Sequence, residues 1–209
     1  MINPDADFLK KIKNFIYEKE KNRKNINILE FGVRQGRSTN MFLKMCKKNN
    51  GKLLSIDIDD YSKKFFDKNW TFVQCRDDDY KTVIKFIPKK LDIILIDSLH
   101  EPNHVKKLIY FYWKFLKKNC SIYVDDISWI PYLKNNWRNH KFTENINRNT
   151  FYKILEIYSA NYKKIDLDFT FNGSGMCRII KKDNSNLKPS KPLNERKNNL
   201  LSKMKKIFY

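Results

Sequence analysis

No apolar run in this 209-residue sequence approaches the roughly 20 residues of a membrane-spanning helix. The opening "MINPDADFLKKIKNF" carries acids where a secretory leader would carry its basic segment, and no long apolar stretch follows. Cysteine is scarce and scattered: Cys46, Cys75, Cys120 and Cys177 form no C-x-x-C pair. That pattern argues against structural zinc and against a disulfide framework. The expectation is a reducing, cytoplasmic compartment. Internal repeats are absent too, as is the G-x-G-x-x-G order that seats a dinucleotide pyrophosphate.

Acidic residues are also short in number. Lys and Arg total 43 against 23 Asp and Glu, a formal charge of +20. Such an excess suits nucleic acid or an anionic surface. Here it is carried by lysine more than arginine, beside abundant asparagine and isoleucine, and it is spread along the whole chain. Codon bias in an AT-rich genome produces the same mixture. Nucleic acid therefore stays a candidate partner on charge alone, with no dedicated RNA-binding motif to support it.

Hydrophobic spacing organises the rest. Phe8, Leu9, Ile12, Phe15 and Ile16 lie on one helical face. From "INILEFG" onward, continuous apolar runs alternate with helical patterns: "KLLSIDI", "WTFVQCR", "LDIILID" and "CSIYVDD" read as further strands. Continuous apolar strands belong to a parallel sheet covered on both faces. "KKIDLDFTF" and "MCRIIKK", joined by "NGSG", read as a closing antiparallel hairpin. The fold expected is α/β: Rossmann-like, doubly wound, with a mostly parallel seven-stranded sheet and an antiparallel C-terminal hairpin strand. The organisation expected is an amphipathic N-terminal helix over 1–24, a core domain over 25–182, and a basic, flexible tail over 183–209. The end of that tail, from Leu200 to Phe208, has the spacing of a short amphipathic helix.

In an open α/β sheet, ligands bind beyond the carboxyl ends of the strands. The loop after the first strand reads Glu30-Phe31-Gly32-Val33-Arg34-Gln35-Gly36. Gly32 permits a sharp turn, Gly36 permits close approach to the next helix, and Ser38 or Thr39 can cap that helix. Glu30 would repel a pyrophosphate and attract a cation. Asp57 ends the second strand, where an acid accepts both hydroxyls of a ribose. A ligand with a ribose, a positive charge and no phosphate fits this set.

At these residues the sequence resembles the class I S-adenosylmethionine-dependent methyltransferases. "ILEFGVRQGRST" is similar to their first motif, E/D-x-G-x-x-x-G, and "LLSIDID" to the ribose-binding second motif. Asp77 sits where the resemblance places the acid that contacts adenine. "LDIILIDSLH" resembles the D-x-x-x-x-D-G-x-H motif of the cation-dependent O-methyltransferase branch, which includes sugar and macrolide O-methyltransferases and a cephalosporin-hydroxylase-like group. "CSIYVDD" resembles the ending of that branch's fifth strand. The resemblance covers about residues 26–182, with two departures. Asn119-Cys120 replaces a Gly-Gly turn, and Ser98 replaces the glycine before the histidine motif. Asparagine tolerates the left-handed backbone, so that turn is expected to survive.

The resemblance implies S-adenosylmethionine as cofactor, bound by Glu30, Gly32, Gly36, Ser38, Asp57 and Asp77. Asp97, Asp125 and Asp126 end adjacent strands and are expected to converge. Three unpaired carboxylates there would repel one another. A hard divalent cation, magnesium, would relieve that repulsion and orient a substrate hydroxyl. His100, three residues after Asp97, is the candidate base. Asp97 and His100 are thus the candidate catalytic pair. The loop 127–149 offers Trp129, Tyr132, Trp137, Arg138, His140 and Arg148 for recognising a sugar or another polyhydroxylated small molecule. Three other readings compete. One is methyl transfer to RNA. Another is a metal-dependent glycosyltransferase using Asp57-Ile58-Asp59 as a D-x-D. The third is a non-catalytic binding module on the same fold.

Overall fold

The computed structural model describes residues 4–193, and for Pro4 and Asp5 only the backbone. The tail helix expected near Leu200 lies outside the described residues. Among those described, no helix is long and apolar enough to cross a membrane, and all four cysteines are free thiols.

Seven strands form one sheet: β1 (Asn27–Phe31), β2 (Lys52–Asp57), β3 (Trp70–Gln74), β4 (Leu91–Ile96), β5 (Leu116–Asp125), β6 (Ile165–Thr170) and β7 (Met176–Lys181). Their order is β3-β2-β1-β4-β5-β7-β6. The pairs from β3 through β5 are parallel, and β7 runs antiparallel to both β5 and β6. This is the mostly parallel sheet with a closing antiparallel hairpin that the sequence implies. The strand order reverses between β1 and β4, so a crevice opens there at the strands' carboxyl ends.

Among the described residues, six α-helices complete the fold: α1 (Pro4–Ile12), α2 (Glu18–Glu20), α3 (Arg37–Asn49), α4 (Tyr80–Ile84), α5 (Pro102–Tyr112) and α6 (Lys141–Asn161). A π-helical turn, Lys13–Tyr17, joins α1 to α2. The strand pleat divides the core in two because alternate side chains face opposite ways. Ile28, Leu53, Ile93, Leu95 and Tyr123 pack under Ile12, Phe15 and Ile16 and under Phe42 and Met45 of α3. Leu29, Phe31, Ile94, Ile96, Ile122 and Val124 pack under α5 and α6.

Two details differ from the sequence reading. The strand read at "CSIYVDD" begins earlier, at Leu116, one short turn after α5 ends at Tyr112. Asn119, inside that longer strand, takes φ +59, so asparagine does accept the left-handed turn here. The stretch from Asp183, expected to begin a flexible tail, lies against the helices as far as Lys188. Trp113 Nε1 donates to the Ser185 carbonyl, Tyr110 Oη donates to the Lys188 carbonyl, and the Asn161 side chain bonds Lys188 twice.

Candidate active site

The carboxyl ends of β1, β4 and β5 surround a cavity of about 500 Å³, within the range of small-molecule sites. The β1 loop forms one wall. Gly32 has φ +93, and a Cβ there would lie 2.0 Å from the Asp97 carbonyl oxygen, so no side chain fits. Its N–H donates to the Ile56 carbonyl, and Asp97 N–H donates to the Phe31 carbonyl, which ties the three strand ends together. Gly36, at φ +75, is the N-cap of α3. The space beside it holds the Phe65 ring, 2.6 Å from where a Cβ would stand. What approaches Gly36 closely is therefore the β2–β3 loop.

Ser38 and Thr39 do not cap α3; no side chain does. Both hydroxyls bond Glu30 instead, Thr39 Oγ1 at 2.8 Å, and Ser55 Oγ adds a third donor at 2.6 Å. The pleat explains the direction. Glu30 shares the α3 face of β1 with Ile28, so its side chain turns under the helix. It is fully buried, and burial pushes its carboxyl up to about 7 against the pull of the three hydroxyls. Its Oε1 has no partner. Glu30 does not line the cavity wall, while Ser38 does. Asp57 accepts from the Val33 N–H at 2.7 Å, which sets its carboxylate directly beside the glycine loop.

Asp77 lies elsewhere. It is buried, with both oxygens near 3 Å from His104 Nε2, and Ser98 Oγ also donates to it. Asp77, Asp78 and His104 form the one group, among the described residues, whose three ligand atoms lie within 4.8 Å of one another. Their bonding is already spent. His104 answers Asp77, and Arg76 grips Asp78 with two nitrogens at 2.7 and 2.9 Å. The expectation that the Asp77 carboxylate faces adenine is not what this geometry favours: the group is turned inward, as the anchor for the start of α5. His104 is itself buried.

The three acids of β4 and β5 meet at the cavity floor, but they are held apart. Asp125 shares the α1 face of β5 with Tyr123 and is buried. There its carboxylate ion-pairs with Lys11 of α1. Lys11 Nζ also donates to Ser174 Oγ at 2.9 Å and to the Gly175 carbonyl at 3.3 Å. Burial opposes the Lys11 charge, yet Asp125, Asp126 and Asp97 outweigh it and hold its pKa above the ordinary value. Burial likewise pushes the Asp125 carboxyl up, against the pull of Lys11. Asp126 leaves the strand at φ +55 and lines the same cavity.

Between Asp97 and Asp126 stands His100. Its Nε2 is 3.5 Å from Asp97 Oδ1 and 3.6 Å from Asp126 Oδ2. Burial alone would lower the imidazole pKa. Asp126, followed by Asp97, more than reverses that and raises it to about 9. The repulsion that seemed to demand a metal ion is thus met by two cations of the chain itself.

Of the loop residues expected to read a substrate, Tyr132 and Arg138 line the cavity. Arg138 donates to Tyr132 Oη at 3.2 Å and stacks on Trp137. The others are engaged elsewhere. Trp129 packs on Phe151, His140 caps α6, and Arg148 pairs with Glu144. Sequence reading missed Asp7, Phe8 and Lys11 from α1 and Gly173 and Ser174 from the hairpin turn, all of which line the cavity. Lys11 did leave a trace. It sits between Phe8 and Phe15 on the apolar stripe of its helix, where a lysine must find a buried partner.

A methyltransferase-domain family model matches residues 29–127. No curated protein matches the chain. Among solved structures, the MycE methyltransferase of the mycinamycin pathway, in complex with Mg, S-adenosylhomocysteine and mycinamycin VI, is 16% identical. Its TM-score is 0.58 over 80% of this chain and 48% of that one. The chain thus spans about half the length of MycE. A Podospora anserina methyltransferase bound to S-adenosylhomocysteine is 12% identical, with TM-score 0.60 over 88% of this chain and 89% of that one. The O-methyltransferase TomG from Streptomyces achromogenes, in complex with S-adenosylmethionine, is 12% identical, with TM-score 0.60 over 88% and 82%. These neighbours share the fold, and the family match falls on the strand-end loops that build the cavity. Residues 29–127 of the chain match a methyltransferase domain, on a fold shared with solved methyltransferases.

Proposed function

We propose that this protein methylates a hydroxyl oxygen of a sugar or another small polyhydroxylated molecule. The observation that carries the reading is His100 Nε2 set between Asp97 and Asp126 on the floor of a cavity walled by the glycine loop. When bound, S-adenosylmethionine supplies an electrophilic methyl group on a sulfonium. The residues present fit it. Gly32 and Gly36 keep the loop open, Asp57 stands ready for ribose hydroxyls, and Glu30 keeps an unpartnered oxygen beneath the loop for positive charge.

His100 then acts as base. Its neutral imidazole is placed to take the proton of an acceptor hydroxyl, to which bound S-adenosylmethionine would supply the methyl group. Asp97 and Asp126 stabilise the imidazolium that forms, which is why its pKa is high. A proton taken from the hydroxyl would be held on His100 beside two carboxylates. Tyr132 and Arg138, at the mouth, suit hydrogen bonding to a polyhydroxylated ring.

Magnesium at Asp97, Asp125 and Asp126 fits this arrangement poorly. Lys11 occupies Asp125, His100 stands between the other two, and the three acids do not bring ligand atoms within 4.8 Å of one another. No step above passes through a metal ion.

The test is transfer of labelled methyl from S-adenosylmethionine to a panel of sugars and polyols, with RNA as a parallel arm. Label on a hydroxyl oxygen supports the reading. Label on RNA alone would replace it with a nucleic-acid methyltransferase. Cofactor binding without transfer to any acceptor would favour a binding module.

A further inference from the structure

We propose that Lys11 is the resident cation of this site: its ammonium holds at Asp125 the charge that a divalent ion would otherwise hold, and methyl transfer proceeds without a metal. The inference rests on the methyl-transfer reading only in taking this sheet edge as the seat of the acceptor.

Four observations carry it. The Lys11 side chain is 2% exposed and its Asp125 partner 4%, so the pair is buried at the cavity floor with little surface open to an incoming ion. The ammonium has three donors and three acceptors: Asp125, Ser174 Oγ and the Gly175 carbonyl. It has no bonding capacity left, and neither the hydroxyl nor the carbonyl beside it is orphaned. The acceptors themselves are built in. Gly175 has φ +73 and a Cβ there would lie 2.7 Å from Ser128 Cβ, while Ser128 N–H donates to the Ser174 carbonyl at 2.7 Å. The hairpin turn is thereby clamped to the loop after β5.

The helix that delivers Lys11 is clamped as well. Ile12, Phe15 and Ile16 are buried beneath it. Just beyond, Glu20 is wholly buried, accepting from Tyr123 Oη at 2.7 Å, Arg178 Nη2 at 2.8 Å and Arg23 Nε. Withdrawing Lys11 from Asp125 would leave a carboxylate buried with no countercharge, which proteins avoid. A divalent ion needs hard oxygen donors that are free to reach it. Of the three acids, one is taken by Lys11 and the other two flank the His100 imidazole.

Lys11 is thus a positioning residue. It neutralises Asp125, leaving Asp97 and Asp126 to act on His100. The site needs no loading step, and its charge is set when α1 docks on the sheet.

The experiment is a titration of the full chain with Mn²⁺, following the free-ion electron paramagnetic resonance signal, with S-adenosylhomocysteine calorimetry run beside it in chelator and in Mg²⁺. Wild type is expected to bind no stoichiometric Mn²⁺ up to about 1 mM and to bind the cofactor product equally in both buffers. Lys11→Met keeps the stem and removes the charge. It frees the Asp125 carboxylate and is expected to gain one Mn²⁺ site at least about tenfold tighter than any wild-type binding. Lys11→Met/Asp125→Asn removes both charges and is expected to fold, by its thermal transition, without gaining that site. This double variant supports the pairing even where Lys11→Met alone does not fold. One tight Mn²⁺ per wild-type chain, lost in Asp126→Asn, would overturn the proposal. A chain that binds no cofactor product in either buffer would overturn the methyl-transfer reading instead, whatever Mn²⁺ does.

Discussion

Glu30 shows at the scale of one residue how the site trades stability for charge. Its carboxyl is pushed up to about 7 by complete burial, against an ordinary value of 4.5. The folded chain therefore holds this proton more tightly than the unfolded chain does. Below pH 4.5 both forms are protonated and nothing is lost. As pH rises toward 7 the unfolded form releases its proton first, and stability falls, by about 3 kcal/mol in full above pH 7. Glu30→Gln should remove that loss. Its melting temperature should exceed wild type by several degrees at pH 8 and match it near pH 4.5, while cofactor affinity drops. An unchanged melting temperature at pH 8 would contradict the buried-charge account.

His100 carries the second prediction at this scale. With its pKa near 9, about one molecule in a hundred holds the neutral base at pH 7. The rate of methyl transfer should rise with pH and level off near 9. His100→Gln should lose about 100-fold or more in rate and the rising limb with it. His100 was legible in the sequence because the histidine follows the strand-end acid by three residues. Lys11 showed only as a lysine on an apolar stripe, and its role did not, since its partner is 114 residues away and only the docking of α1 brings them together.

At the scale of elements, strand parity decided more than motif spacing did. Glu30 faces α3 because it alternates with Leu29 and Phe31, and Asp125 faces α1 because Tyr123 does. Asp125 ends the strand facing α1, and Asp126 follows it at φ +55, so both acids line one cavity with Asp97 while Lys11 takes the first and His100 stands by the second. The alternation is visible in "CSIYVDD", but which face each helix would cover is not. Ser38 and Thr39 misled for the same reason: hydroxyls in a helix's first turn suit capping, and here a buried carboxyl competes for them. The α1 contact is itself testable. Ile16 is fully buried, so Ile16→Ala should cost about 3 kcal/mol. In thermal unfolding the transition should fall by roughly 10 °C, and Mn²⁺ binding should appear as Lys11 loosens. The backbone at Gly32 is less forgiving. Gly32→Ala meets both the left-handed φ and the Asp97 carbonyl and should abolish folding or cofactor binding, read by calorimetry.

At the scale of the molecule, the mostly parallel sheet followed from the alternation of apolar runs and helices, and the closing hairpin from "NGSG". The segment from Asp183 was harder to place. Its polar composition reads as linker, yet backbone carbonyls rather than side chains hold it to Trp113 and Tyr110. Such contacts leave no mark in a sequence. The +20 charge belongs to this scale as well. Spread over the whole surface, it should give polyanion binding that collapses by about 0.5 M salt, where screening is short-ranged. RNA affinity that survives such salt would point instead to a dedicated nucleic-acid surface.

The measurement that bears most directly on the whole account is methyl transfer from labelled S-adenosylmethionine to a sugar and polyol panel, in chelator, at pH 7 and pH 9. The account expects label on a hydroxyl oxygen, more of it at pH 9, and none with His100→Gln. Transfer that needs added Mg²⁺, or that is the same at both pH values and survives His100→Gln, would contradict it.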